Sequence, residues 1–457
     1  MNPPLTATTG VGTAPDTRFF GHPRGLSTLF FAEMWERFSY YGMRAFLILY
    51  MTAPAAAGGL GFADSDATSI YGSYTGAAWG ASIIGGIVAD RFLGQYRSVV
   101  LGGAVITLGH FALVFKSLPF FYAGLSLIVL GTGLLKPNIS TLVGSLYDAG
   151  DSRRDAGFSL FYMGINVGAL MGPVIAGYLA QRVDWHIGFA SAGVGMLLGL
   201  VQLVVGKRHL ARAFERIATQ QGTQSAASQE SASQSGTGVF GFSPAEWRRV
   251  SAIVVFFVFS TLFWAGYEQA GSTLNLFADR YTRLDVLGYS FPSSWFQSVP
   301  AIFVVLLAPL FAKTWTALGP RNPSRTTKFG LGLFFMGLAF LVLVPAGGMA
   351  QAGEGIRVSP WWLVTAFMVS EFGELCLYPV GLSAVTTLAP PRIVGLMMGV
   401  FFLSIALGSK LAGWVAGFIE RMPLSDLFTA MAVVLIASAV VMWALVRPVS
   451  RLTGESR

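Results

Sequence analysis

The chain has 457 residues, 54 % of them hydrophobic and only 11 % charged, with a net charge of +8. Soluble globular domains carry about a quarter charged residues, so this composition excludes that class and points to a helical protein that crosses a membrane many times. One cysteine, Cys376, excludes a disulfide framework or a cysteine metal site within one chain. The positive balance fits loops that follow the positive-inside rule better than a nucleic-acid surface.

Residues 1–24 (MNPPLTATTG…HPRG) are polar and rich in Pro and Gly, lack the apolar core of a cleaved signal, and are expected to form a cytoplasmic tail. Apolar runs of about twenty residues then recur, each bounded by charge, Gly or Pro. They fall near 25–53, 68–93, 97–116, 119–147, 155–181, 187–206, 248–278, 292–316, 327–346, 359–388, 393–419 and 424–446. Twelve spans put both termini on one side. The connections assigned to that side hold 20 Lys and Arg, Arg392 among them, and those on the other side hold 6, which predicts cytoplasmic termini.

Residues 207–245 separate two sets of six spans. Their Ser/Gln/Gly-rich stretch, TQQGTQSAASQESASQSGTG, cannot bury a core and predicts a flexible cytoplasmic linker. The basic, amphipathic KRHLARAFERIA before it is suited to the anionic inner leaflet. The expected organisation is a tail (1–24), a six-helix bundle (25–206), a linker (207–245), a second six-helix bundle (246–446) and a tail (447–457). That is the layout of a two-domain transporter with its site between the halves. A twelve-span channel or membrane enzyme shares the same hydropathy.

The first span is interrupted by EMWERFSYYGMR. At about 100° per residue, Glu33, Glu36, Arg37, Tyr40, Tyr41 and Arg44 share one broad stripe. One ionised side chain at mid-bilayer costs roughly 2.5–3.5 kcal/mol on insertion scales, so four on one face require a wet cavity or opposed charges. Glu33 and Arg37 are also i,i+4 neighbours, and a purely structural ion pair is the alternative. GTGLLKPNIS places Lys136 before a kinking Pro137 in the fourth span. FWAGYEQAGSTLN places Glu268 in the seventh, with Trp264 and Asn275 on its face by helical spacing. SEFGELCLYPVGLS sets Glu371, Glu374 and Tyr378 at i, i+3 and i+7 in the tenth. Arg44 and Lys136 in one half thus oppose Glu268 and Glu374 in the other. Lys410, in LGSKLAGW, reads as a packing or snorkelling lysine. The four histidines (His22, His110, His186, His209) form no HExxH or triad-like grouping, and no Walker motif is present.

These segments together resemble the proton-dependent oligopeptide transporter family of the major facilitator superfamily, over nearly the whole chain. EMWERFSYYG (33–42) matches the first-helix ExxERFxYYG motif, and FSLFYMGINVG (158–168) matches the fifth-helix FYxxINxG signature. GGIVADRFLGQYRS (85–98) is similar to the second-to-third-helix signature. FWAGYEQAGS and GELCLYPVGLS resemble the seventh- and tenth-helix segments.

The resemblance implies an all-α fold of twelve transmembrane helices in two bundles. It also implies symport of di- and tripeptides with protons by alternating access in a bacterial inner membrane, by a monomer without cofactor or catalytic residues. By matching position, Glu33, Glu36, Arg37 and Glu268 would couple protons. Arg44 with Glu268, and Lys136 with Glu374, would be the outer and inner bridges. The peptide's amino terminus would meet Glu374 and its carboxylate Arg37 and Lys136, with Asn166 as a polar contact. Tyr40, Tyr41, Trp264 and Trp295 would line the pockets, and Asp90 and Arg91 would latch the cytoplasmic helix ends. Four positions depart from the family's pattern. Phe401 replaces a tryptophan, Pro300 an asparagine, Trp79 a common tyrosine, and Tyr267 a glutamate found in some members. An anion or other small-molecule symporter, a transport-dead receptor and an ion channel are the alternatives.

Overall fold

The computed structural model describes residues 16–148, 151–219, 243–390 and 393–453. Most of the expected N-terminal tail and of the Ser/Gln-rich linker, together with Arg392 and Arg457, lie outside the described residues.

Among the described residues, twelve helices of eighteen residues or more run back and forth across one layer. They are α1 (Arg24–Thr52), α2 (Asp64–Val88), α3 (Gln95–Ala112), α4 (Leu118–Gly144), α5 (Arg154–Gly172), α6 (Trp185–Val205), α7 (Pro244–Tyr267), α8 (Val299–Ala317), α9 (Arg325–Ala350), α10 (Trp361–Leu388), α11 (Val394–Ala416) and α12 (Leu424–Ala444). A short amphipathic helix, α13 (Val446–Thr453), follows. Each predicted span contains one of these long helices, with the fifth and seventh interrupted as described below. Among the described residues, nine helices are long and apolar enough to cross a membrane on length and composition alone. The exceptions are α1, which carries five charged residues, and α2 and α3, which begin with polar residues.

The first six helices and the last six repeat one arrangement. In the first half α1 packs on α5, and α3 on α4 and α6. In the second half α7 packs on α11, and α9 on α10 and α12. The halves meet chiefly where α2 crosses α11 and α5 meets α8. The α2–α11 crossing is close because glycines face each other. A Cβ at Gly413 would lie 2.5 Å from the Thr68 carbonyl oxygen and 2.8 Å from Gly72 Cα.

Local chemistry sets the interruptions. Pro173 cannot donate to the helical ladder, and α5 passes through a widened turn, Pro173–Gly177, before resuming at Tyr178–Arg182. A capping box between Ser243 and Glu246, with Pro244 in the first turn, starts α7. The expectation of one continuous seventh helix over 248–278 is corrected. The chain tightens at Glu268–Gly271, turns at Ser272 and resumes at Thr273–Tyr281, so simple helical spacing does not carry from Glu268 to Asn275. Gly271 sits at this break because a Cβ there would overlap the Tyr71 hydroxyl and lie 3.1 Å from Arg44 Nε.

The helical path also continues past residue 207, as far as 219. Leu210 and Ala213 are buried, and Phe214 packs edge-on against Tyr96 at 5.2 Å. The apolar face expected to lie on lipid is covered by the protein instead, with Leu210 packed near Gly25 at the start of α1.

Packing at the glycine crossing makes a direct prediction. Gly413→Ala lowers the thermal midpoint of the purified protein in detergent, because overpacking costs about 1–3 kcal/mol. Gly348→Ala, where nothing lies within 4 Å of the new methyl, leaves it unchanged. Equal midpoints for the two variants contradict the close crossing.

Candidate functional site

Charged and phenolic side chains from α1, α2, α4, α7 and α10 gather where the halves face each other. The near face carries the starts of α1 and α7, and the far face is opposite. A layer of contacts close to the far face joins the halves. Arg44 of α1 pairs with Glu268 of α7, and its Nε donates to the Tyr71 hydroxyl of α2. Both charges are nine-tenths or more buried. In that setting the pair tolerates burial only because each ion is matched, and removing one partner is strongly destabilising. One turn further out, Asn275 Nδ2 donates to the Ala45 carbonyl at 2.7 Å.

Beyond it, Asp64 at the start of α2 receives two bonds from Arg280, one from Nη2 at 2.7 Å. The Asp64 backbone N–H donates to Glu420 at 3.0 Å. Gln181 spans the other seam, donating to Ser293 Oγ at 2.8 Å and accepting from the Ser294 backbone N–H at 3.0 Å. Trp295 Nε1 donates to the Val174 carbonyl at 3.1 Å, which seats this tryptophan in the far-face seal. Lys410 Nζ donates to Ser73 Oγ at 2.6 Å across the halves. Its side chain is exposed apart from that bond.

Two helical turns closer to the near face, Arg37 holds both first-helix acids. Its Nε lies 3.1 Å from Glu33 Oε1, and it also pairs with Glu36. All three are at least 95 % buried. Arg37 Cζ stands 5.4 Å from the Tyr40 ring, and its Nη2 has no hydrogen-bond partner among the described residues. Tyr41 packs edge-on against Tyr40 at 5.3 Å and is only partly buried.

The expected Lys136–Glu374 bridge is not formed. Lys136 Nζ instead lies over the Trp79 ring, 3.0 Å from its centre, and Trp79 stacks on Phe402 of α11 at 6.0 Å. Glu374 accepts from the Tyr267 hydroxyl at 2.9 Å. Each charge therefore has a neutral aromatic partner within its own half, and both remain partly open to solvent. A cation over an indole face keeps a fraction of the stabilisation that a buried ion pair has.

Asp90 and Arg91 form no latch in this arrangement. Asp90 accepts from its neighbour Gln95 at 3.0 Å, and Arg91 is exposed with no ion pair among the described residues. Among these residues, the hydrogen bonds and ion pairs just described between the halves lie toward the far face. Asn166 is buried and donates to the Tyr162 carbonyl of its own helix at 2.9 Å. Trp264 packs edge-on against Tyr267 and Tyr378, and its indole N–H has no partner among the described residues. Phe401 stacks on Tyr378 at 6.3 Å, and Pro300 begins α8 beside Tyr267.

Sequence reasoning passed over Tyr71, Asp64, Arg280 and Gln181. The i, i+3 pair Tyr71 and Tyr74, in YGSYTGAAW, carried a usable signal. Both are buried on α2, close to Arg44. No group of metal-ligating side chains occurs among the described residues.

Two six-helix bundles with paired and unpaired charges along their seam define a secondary transporter of the major facilitator fold. The POT family model matches residues 96–221 and 240–436, and the chain belongs to that family. It is 35 % identical to the peptide transporter YePEPT of Yersinia enterocolitica, over 98 % of this chain and 99 % of that one. It is also 35 % identical to a di-/tripeptide transporter of Lactococcus lactis subsp. cremoris, over 96 % and 98 %. A crystal structure of a POT peptide transporter in complex with sulfate superposes with a TM-score of 0.86 at 37 % identity, covering 96 % of this chain and 98 % of that one.

The far-face layer is testable by charge reversal. Asp64→Arg places two cations together, so spin labels on the far ends of α2 and α7 are expected to move apart. Adding Arg280→Asp restores the opposite-charge pair and the short distance. Labels that do not respond to the single reversal would remove this pair from the seal.

Proposed function

We propose that this chain is a proton-coupled importer of di- and tripeptides that works by alternating access, with its near face cytoplasmic. The observation that carries the reading is the opposition of unsatisfied charges across the seam. Among the described residues, Lys136 has no acidic ion-pair partner on one side and Glu374 no cation on the other, and Arg37, though paired with Glu33 and Glu36, keeps its Nη2 without a hydrogen bond. A peptide zwitterion presents a carboxylate and an ammonium at a nearly fixed separation. It would satisfy both sides at once, whatever its side chains. Tyr41, Trp264, Tyr378 and Asn166 would then border the side-chain space.

The relatives named as peptide transporters support this cargo. So does a POT structure in complex with alafosfalin, 37 % identical with a TM-score of 0.85. Residues 25–206 and 246–446 would move as the two halves, and Asp90 and Arg91 would join when the near face closes. Glu33, Glu36 and Glu268 are the proton carriers. A carboxylate beside a guanidinium stays ionised, and one parted from it takes up a proton. Protonation of Glu268 would release Arg44 and open the far face.

Moving one positive charge inward through 100 mV yields about 2.3 kcal/mol, or roughly fifty-fold accumulation of a neutral peptide. Protons are the only coupling ligand required, with no cofactor and no enzymatic step. The positive-inside charge balance and the bacterial relatives favour a bacterial inner membrane with cytoplasmic termini.

Proteoliposomes with an acidic exterior and an inside-negative potential are expected to accumulate dialanine, and uptake indifferent to both gradients would contradict the proposal. Glu33→Gln and Glu36→Gln abolish accumulation. Lys136→Ala and Glu374→Ala lower uptake at least ten-fold, whereas normal kinetics in both would remove the terminus clamp.

A second cargo is favoured by one observation. A POT transporter 31 % identical to this chain was solved in complex with 5-aminolevulinic acid, a non-peptide with the same two end groups. Competition of dialanine uptake by that compound separates a peptide-only site from a general amino-carboxylate site.

A further inference from the structure

One buried acid has no part in the scheme so far. Glu371, one turn before Glu374 on α10, is 0 % exposed, and its Oε2 has no hydrogen-bond partner among the described residues. Its Oε1 lies 3.3 Å from the Tyr267 hydroxyl, and the same hydroxyl lies 2.9 Å from Glu374 Oε2. Glu371 and Tyr267 also line a cavity of about 20 Å³, which has room for one water.

The groups facing Glu371 are few. Tyr267 comes from α7 and Glu374 from its own helix. Around the cavity, α8 contributes Pro300, and α9 contributes Met336, Ala339, Phe340 and Leu343. No Lys, Arg or His among the described residues pairs with Glu371 or Glu374.

A hydroxyl carries one proton and can donate it in full to only one acceptor. It bridges two carboxyl groups well only when one of them brings a proton of its own. Two ionised carboxylates in such a site would also repel without a cation between them, and a dry, unpaired anion costs several kcal/mol to bury. The less exposed acid, at the longer distance, is the one to carry the proton. The chain of bonds then runs from the Glu371 O–H to the Tyr267 oxygen, and from the Tyr267 O–H to the Glu374 carboxylate.

We propose that Glu371 is a proton-binding site in the second half, holding a proton that Tyr267 links to Glu374 and hence to whatever cation occupies Glu374. It is separate from the first-helix cluster, and its link to substrate rests on the peptide-transport reading. Glu374 is left as the single anion of its side, matched to one ammonium. Tyr267 becomes the connector. When an ammonium docks on Glu374 and draws the Tyr267 hydroxyl more firmly towards it or away from it, the Glu371 O–H bond must weaken or strengthen in response.

Infrared difference spectroscopy of the purified full-length protein, in H2O and D2O without substrate, tests the site directly. Subtracting Glu371→Gln from wild type is expected to reveal one protonated-carboxyl C=O band that shifts in D2O. In Tyr267→Phe, which keeps the shape and removes the acceptor oxygen, the same band moves to higher frequency. Loss of a carboxylate band in Glu371→Gln, with no protonated band, overturns the proposal. Adding dialanine to wild type is expected to shift the band, and a fixed band in protein that transports dialanine overturns the link to Glu374. If dialanine is not transported, the peptide reading fails, while the substrate-free band still decides whether Glu371 holds a proton.

Discussion

A charge inside a membrane protein must have a partner in every state that it visits, and that constraint organises this molecule. Arg44 and Glu268 meet it by pairing across the halves. Arg37 meets it within one helix, against Glu33 and Glu36. Lys136 and Glu374 meet it less fully, with an indole face and a phenol. The second set is weaker than the first, so these two charges are the ones free to exchange partners. A ligand with both signs, or each other, would be the better match.

The backbone supplies the means for such an exchange. Gly72 and Gly413 let α2 and α11 cross in near contact at the junction of the halves. The interruption after α7 at Glu268–Gly271 puts Glu268, the partner of Arg44, on a tightened turn, and Gly271 leaves room for the Tyr71 hydroxyl beside Arg44. Small residues therefore sit where the charged residues need proximity. The seal around Asp64–Arg280 and Gln181 adds polar contacts on both seams of the same face.

Much of this was legible in the sequence, for physical reasons. The spans were legible because a bilayer demands long apolar runs, and each of the twelve contains one long helix, although the breaks in the fifth and seventh were not foreseen. The first-helix cluster was legible because Glu33 and Arg37 lie one helical turn apart, so local spacing alone brings them together. Tyr71 and Asp64 were not, since their partners come from other helices and no local period reports that. Lys136 and Glu374 were singled out as partners, but which partner each holds depends on the relative position of the halves. Residues 207–219 read as linker because their charge hid an apolar face of Leu210, Ala213 and Phe214, which the protein itself covers.

The central claim is that the far and near faces close in alternation, because the buried charges can be matched on only one side at a time. Paired distances in single liposome-embedded molecules test it most directly, with one fluorophore pair across the far ends of α1 and α7 and another across the near ends of α4 and α10. Neutralising the gate with Glu268→Gln should lengthen the far distance and shorten the near one in the same molecules. Distances that change in the same direction, or a far face that opens while the near face does not move, would contradict the account.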